Sequence, residues 1–93
     1  MSRDPKLTEL LASIAANVRR LRSTRGLTQE ALAERAGQDL SYLQRVERGA
    51  TNLSIGVLLA LANALDTHPA RLLRHADLPA VRRGRPPKVA SRS

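Results

Sequence analysis

The chain has 93 residues, sixteen of them basic and eight acidic, for a net charge of +8 and an isoelectric point near 11.6. That length suits one small domain, and that charge predicts affinity for a polyanion such as nucleic acid or an anionic surface. No run approaches the ~20 apolar residues of a membrane span, no compact apolar stretch follows Met1–Lys6 to suggest a secretory leader, and the absence of cysteine excludes disulfides, thiolate metal sites and cysteine nucleophiles.

The hydrophobic residues are sixteen Leu and fourteen Ala against five Val, two Ile, one Met and one Tyr. Leu and Ala form helices readily, and the β-branched and aromatic residues that fill strands are scarce, so an all-α domain is expected. A helix starts at Asp4 or Thr8, with Asp4-Pro5 fitting an N-cap followed by proline in the first turn. Leu7, Leu10, Leu11, Ile14, Val18 and Leu21 recur at three- and four-residue spacing, Arg19, Arg20 and Arg22 flank that stripe, and Arg25-Gly26 closes the helix. Thr28 caps a second helix whose inner face is Leu32, Ala33 and Ala36, ending at Gly37. Asp39 is the cap candidate of a third helix of about nine residues ending at Gly49, with Leu43 and Val46 inward and Leu40 at its start. Ser54 caps a fourth, Ile55 to Leu65, apolar on nearly every side and therefore either fully buried or shared with a partner chain. His68-Pro69 opens a short fifth helix to about His75, with Leu72 and Leu73 inward.

Composition then changes. Residues 77–93 hold three of the five prolines, five basic residues and one acidic one, too little apolar surface to offset chain entropy, so a disordered basic tail is expected. The organisation read from sequence is an extension of the first helix over 1–13, a five-helix unit over 14–75, and a Pro/Arg-rich tail over 76–93.

Helices two and three, capped by Thr28 and Asp39 and joined through Gly37, form a helix-turn-helix pattern. A helix that enters the major groove must stand clear of its own domain, and its predecessor must brace it. Ala33 and Ala36 permit that close approach, and Leu43 and Val46 pin the inner side of the third helix.

Leu27-Thr28-Gln29, Leu32-Ala33, Ala36-Gly37, Ser41-Tyr42-Leu43 and Glu47-Arg48-Gly49, at their spacing, resemble the Cro/lambda-repressor (XRE) helix-turn-helix family over Ile14 to Leu73. The resemblance implies a five-helix domain whose third helix reads DNA. It implies that Leu40, Ser41, Gln44 and Arg45 meet base edges, Arg45 by a bidentate bond to guanine and Leu40 on a thymine methyl. It places Thr28, Gln29, Tyr42, Arg48, Thr51 and Asn52 near phosphate, and pairs Arg22 with Glu47 as a semi-buried ion pair that orients the third helix. Gln38 stands where the family usually has an aliphatic residue, and Gly56 costs the fourth helix up to ~1 kcal/mol relative to Ala.

In the tail, Arg82-Arg83-Gly84-Arg85-Pro86-Pro87-Lys88 resembles an AT-hook. Gly84 lets the backbone approach a narrow minor groove, the prolines hold the chain extended, and Arg82, Arg83, Arg85 and Lys88 supply the charge.

The reading is a sequence-specific transcriptional regulator, a repressor, acting in the bacterial or phage cytoplasm as a nucleoid-associated homodimer on double-stranded DNA with a pseudo-palindromic operator. The alternatives are an antitoxin that represses its own operon beside a toxin partner, and an architectural DNA-binding protein of low specificity. No Gly-rich phosphate loop, metal-ligand spacing or Ser/His/Asp arrangement stands in context, so no catalysis, metal, cofactor or membrane partner is expected.

Overall fold

Asp4 opens the first helix, α1 (Pro5–Thr24). Its carboxylate accepts from the Lys6 amide at 2.8 Å and Pro5 lies in the first turn, which settles the start at Asp4 rather than Thr8. The computed structural model describes residues 4–76. Four further helices follow: α2 (Gln29–Ala36), α3 (Leu40–Glu47), α4 (Ile55–Ala64) and α5 (Pro69–Leu73), with no strand among the described residues. Among the described residues the fold is all-α with five helices, in keeping with the Leu/Ala composition.

Caps set most of these boundaries. Thr28 and Ser54 each accept from a backbone N–H three residues on, at 3.0 Å, and His68 Nδ1 accepts from the Ala70 amide at 3.0 Å. Asp39 departs from the expectation. Its backbone adopts the cap conformation and its carbonyl accepts from Leu43 at 3.0 Å, but its exposed carboxylate takes no bond from the first turn of α3. Backbone geometry alone starts this helix.

The helix ends share one device. After α2, Gly37 adopts φ 69° and the Gln38 amide returns to the Ala33 carbonyl at 2.9 Å, turning the chain directly into α3. After α4 the same left-handed position falls on Asp66, φ 56°, and the Thr67 amide returns to Ala62 at 2.9 Å. A short polar side chain tolerates that conformation at a cost glycine avoids.

Val18, Leu32, Leu43, Val46, Leu61, Leu65 and Leu72 are essentially inaccessible and form the centre of the core. α1 packs against α3 on one side and α5 on the other, while α2 packs against α3 and α4. Two arginines close other helices: Arg19 of α1 donates to the Glu47 carbonyl at the end of α3, and Arg25, the residue after α1, to the Leu65 carbonyl after α4. Cationic donors there satisfy otherwise unpaired carbonyls and complement the negative helix end.

α5 is shorter than the sequence suggests, ending at Leu73 rather than near His75. Buried Asn17 explains this, since its Nδ2 donates to the Leu72 carbonyl at 3.0 Å and the Arg74 carbonyl at 2.8 Å. Arg74 is consequently extended, and the Ala76 amide reaches the buried Ser13 hydroxyl at 3.2 Å. Leu73, expected to face inward, is 41% exposed because so short a helix turns only Leu72 into the core. α4 is likewise not buried on all sides: Leu58, Leu61 and Ala62 face inward, while Ile55 (78%) and Leu59 (46%) are open.

Candidate nucleic-acid interface

The outer side of α3 follows from its inner side. Leu43, Val46 and Glu47 are buried, so helical geometry leaves Ser41, Arg45 and Arg48 exposed, with Leu40 and Gln44 half-buried along the same face. The turn at Gly37 and the closely packed Ala33 and Ala36 hold α3 against α2. Gln38 lies in that turn, and its Nε2 donates to the Ala36 carbonyl at 3.1 Å. A polar residue is thus used where the family usually places an aliphatic one.

Glu47 anchors the inner side. It is only 3% exposed, and its Oε2 accepts from Arg22 Nε at 2.7 Å. Its Oε1 accepts from Arg22 Nη2 at 3.1 Å and from Gln29 Nε2 at 2.9 Å. Arg22 also donates to the Leu27 carbonyl at 3.0 Å. One bidentate pair therefore ties α1, the α1–α2 turn and the end of α3 together. Gln29, assigned by resemblance to a phosphate contact, is also the bridge outward: its Oε1 accepts from Gln44 Nε2 at 3.3 Å.

Tyr42 lies beside this face, partly packed on the core. Its hydroxyl donates to the Asn52 carbonyl at 3.3 Å, as does that of Thr51 at 3.3 Å, so both fix the loop between α3 and α4. The Arg45 guanidinium lies 5.5 Å from the centroid of the Tyr42 ring, a cation–π contact that holds a long exposed side chain near the face it would read from. The Thr28 hydroxyl accepts its capping bond and keeps its own proton to donate.

The structure places Leu40, Ser41, Tyr42, Gln44 and Arg45 on α3, Arg48, Thr51 and Asn52 in the segment that follows it, and Thr28 and Gln29 at the start of α2, where Gln29 meets Gln44. The tail residues Arg82, Arg83, Gly84, Arg85, Pro86 and Lys88 lie outside the described residues. Arg19 is a contributor that sequence reasoning left among the flanking arginines. Its spacing of three from Arg22 puts both on one side of α1, and that was the available signal. Among the described residues no group of His, Cys, Asp or Glu could hold a metal ion, and no helix is long and apolar enough to cross a membrane.

A helix-turn-helix family model matches residues 18–72. The chain is 40% identical to the control protein C.SmaI of Serratia marcescens over 65 residues, 70% of this chain and 77% of that one. Its structure is similar to the restriction-modification controller protein C.AhdI from Aeromonas hydrophila, with a TM-score of 0.65, 45% identity, and coverage of 67% of this chain and 94% of that chain. It is also similar to a hypothetical transcription factor, NHTF, from Neisseria, with a TM-score of 0.71, 32% identity, and coverage of 81% and 86%.

Proposed function

Because the chain belongs to the helix-turn-helix family of DNA-binding transcriptional regulators, we propose that it represses transcription as a homodimer, each protomer placing α3 in the major groove of one half of a pseudo-palindromic operator. The observation that carries this is the two-sided character of α3: a buried anchor of Leu43, Val46 and Glu47, and an outward row of Leu40, Ser41, Gln44 and Arg45. The row supplies base-edge contacts, with Arg45 suited to a bidentate bond with guanine. Thr28, Gln29, Tyr42, Arg48, Thr51 and Asn52 border it and set register on phosphate, which gives affinity without sequence choice. The unit that does this is residues 14–75. The 82–88 segment of the tail adds minor-groove contacts beside the half-site, and the protein acts in the cytoplasm.

The dimer seam is drawn along the outer side of α4. Ile55 and Leu59 lie one turn apart and both are open, and Ile55 continues into an apolar groove of about 370 Å³ lined by Leu7, Leu10, Leu53 and Leu73. Contiguous exposed apolar surface of this kind marks an association face. A two-fold dimer would present its two α3 helices about one helical turn apart, ~34 Å centre to centre. The likeness to the restriction-modification controller protein C.AhdI favours control of a restriction-modification system as the physiological setting.

Selection of bound fragments from random duplex DNA tests the proposal. The expected result is a motif with two-fold symmetry and half-site spacing near ten base pairs. Sedimentation of the free protein should give a dimer that Ile55→Asp converts to a monomer. An asymmetric single half-site, or a wild-type monomer with and without DNA, would refute the dimeric reading.

A further inference from the structure

We propose that Gln44 determines specificity with an amide locked in one orientation by Gln29 and Glu47, so that it selects adenine over guanine at the base pair it meets. This rests on the reading that α3 enters the major groove.

The lock follows from which groups can donate. A carboxylate paired with Arg22 only accepts, and Arg22 only donates. Gln29 lies 2.9 Å from Glu47 Oε1, so it must turn its NH₂ toward that oxygen. Its Oε1 then faces the opposite way and can only accept. Gln44 meets it at 3.3 Å and therefore has to present Nε2 rather than Oε1. The reversed orientation would set two lone-pair oxygens against each other. The direction of the Gln44 amide is thus fixed two links away, by a buried acid on the inner side of the same helix.

What remains free on Gln44 is Oε1 and one N–H. In the major groove adenine offers a donor at N6 and an acceptor at N7, which complement that pair. Guanine offers acceptors at both N7 and O6, so Gln44 Oε1 would oppose one of them. An unrestrained glutamine could present both hydrogens of its NH₂ to guanine instead, and the Gln29 bond removes that choice. Gln44 is half-buried one turn beyond Leu40 and Ser41 on the outward face, so the lock is in place before DNA arrives. In this scheme Gln29 and Glu47 are positioning residues, and of the three only Gln44 touches a base.

The test uses the full chain as wild type, Gln44→Met and Gln29→Met, each read well below its own melting midpoint, since Gln29→Met also removes a donor from buried Glu47. Fragment selection is followed by dissociation constants on duplexes carrying A or G at the position whose preference Gln44→Met abolishes. The wild type should favour adenine there by about fivefold to a hundredfold. Gln29→Met should reduce that preference at least about threefold, because the freed amide rotates. Gln29→Met weakening all sequences equally, with the base profile intact, would make Gln29 a phosphate contact only and overturn the lock. An unchanged profile in Gln44→Met would overturn base reading by Gln44. A wild type that enriches a motif without adenine dependence sinks this inference alone, whereas one that enriches no motif sinks the groove reading beneath it.

Discussion

Replacing Glu47 with alanine should lower folding stability and DNA affinity together. The carboxylate is almost fully buried and accepts three N–H groups, at 2.7, 3.1 and 2.9 Å. Truncation leaves the Arg22 guanidinium and the Gln29 amide without their shared acceptor. Breaking a buried pair costs about 3–5 kcal/mol when the orphaned charge is sealed from water. Here the Arg22 side chain is 21% exposed and keeps its bond to the Leu27 carbonyl, so water relieves part of the penalty and about 2–4 kcal/mol is expected. A domain of this size holds roughly 4–11 kcal/mol in all, so the loss is a large fraction. At about 4–8 °C per kcal/mol, melting followed by circular dichroism should fall by at least ~8 °C. Anisotropy with an operator duplex, read well below the lowered midpoint, should show weaker binding because α3 loses its tether to α1 and α2. The pair Arg22→Met with Glu47→Leu should regain much of the stability, since apolar replacement removes both charges, but not the affinity. A Glu47→Ala midpoint within ~2 °C of wild type, or a double variant no more stable than the single one, would mean that the buried pair does not anchor α3.

Arg45→Ala should cost about 1–3 kcal/mol on the preferred site and relax the base profile at one position, with melting unchanged; equal weakening on all sequences would make Arg45 a phosphate contact. Truncation after Pro79 should weaken binding and flatten its salt dependence, by up to about 0.9 in slope for each phosphate that the tail neutralises; an unchanged slope and affinity on AT-flanked sites removes the tail from the interface. Gly56→Ala should stabilise by about 0.5–1 kcal/mol in denaturant titration without altering DNA binding. A Cβ there meets nothing nearer than Ser54 Oγ at 3.7 Å, so a destabilised variant would mean the cap of α4 is disturbed.

The helices were legible because their signals are local. Caps at Asp4, Thr28 and Ser54, and three- and four-residue spacing of Leu and Ala, are written within single segments. What stayed hidden depends on partners distant in sequence. The early end of α5 is set by Asn17, 55 residues away from Leu72, and nothing in the local run Leu72-Leu73-Arg74 reveals it. Asp39 reads as a cap by residue type, and residue type does not show that its backbone, not its carboxylate, makes the bond that starts the helix. The candidate interface divides the same way. The outward row of α3 is readable from helical period once Leu43 and Val46 are known to face inward. The Glu47–Gln29–Gln44 chain joins two helices, and its polarity emerges only from the distances between them.

If the outer face of α3, with the start of α2 and the α3–α4 loop that border it, and no other surface of residues 4–76, meets the duplex, amide NMR shifts followed during titration with the selected operator at low ionic strength will show it. The largest changes are expected at Thr28–Gln29 and across residues 39–52, with the inner residues of α4 little affected. Changes centred on the far side of α1 and on α5, or none at saturating duplex, would place DNA elsewhere or nowhere on this domain.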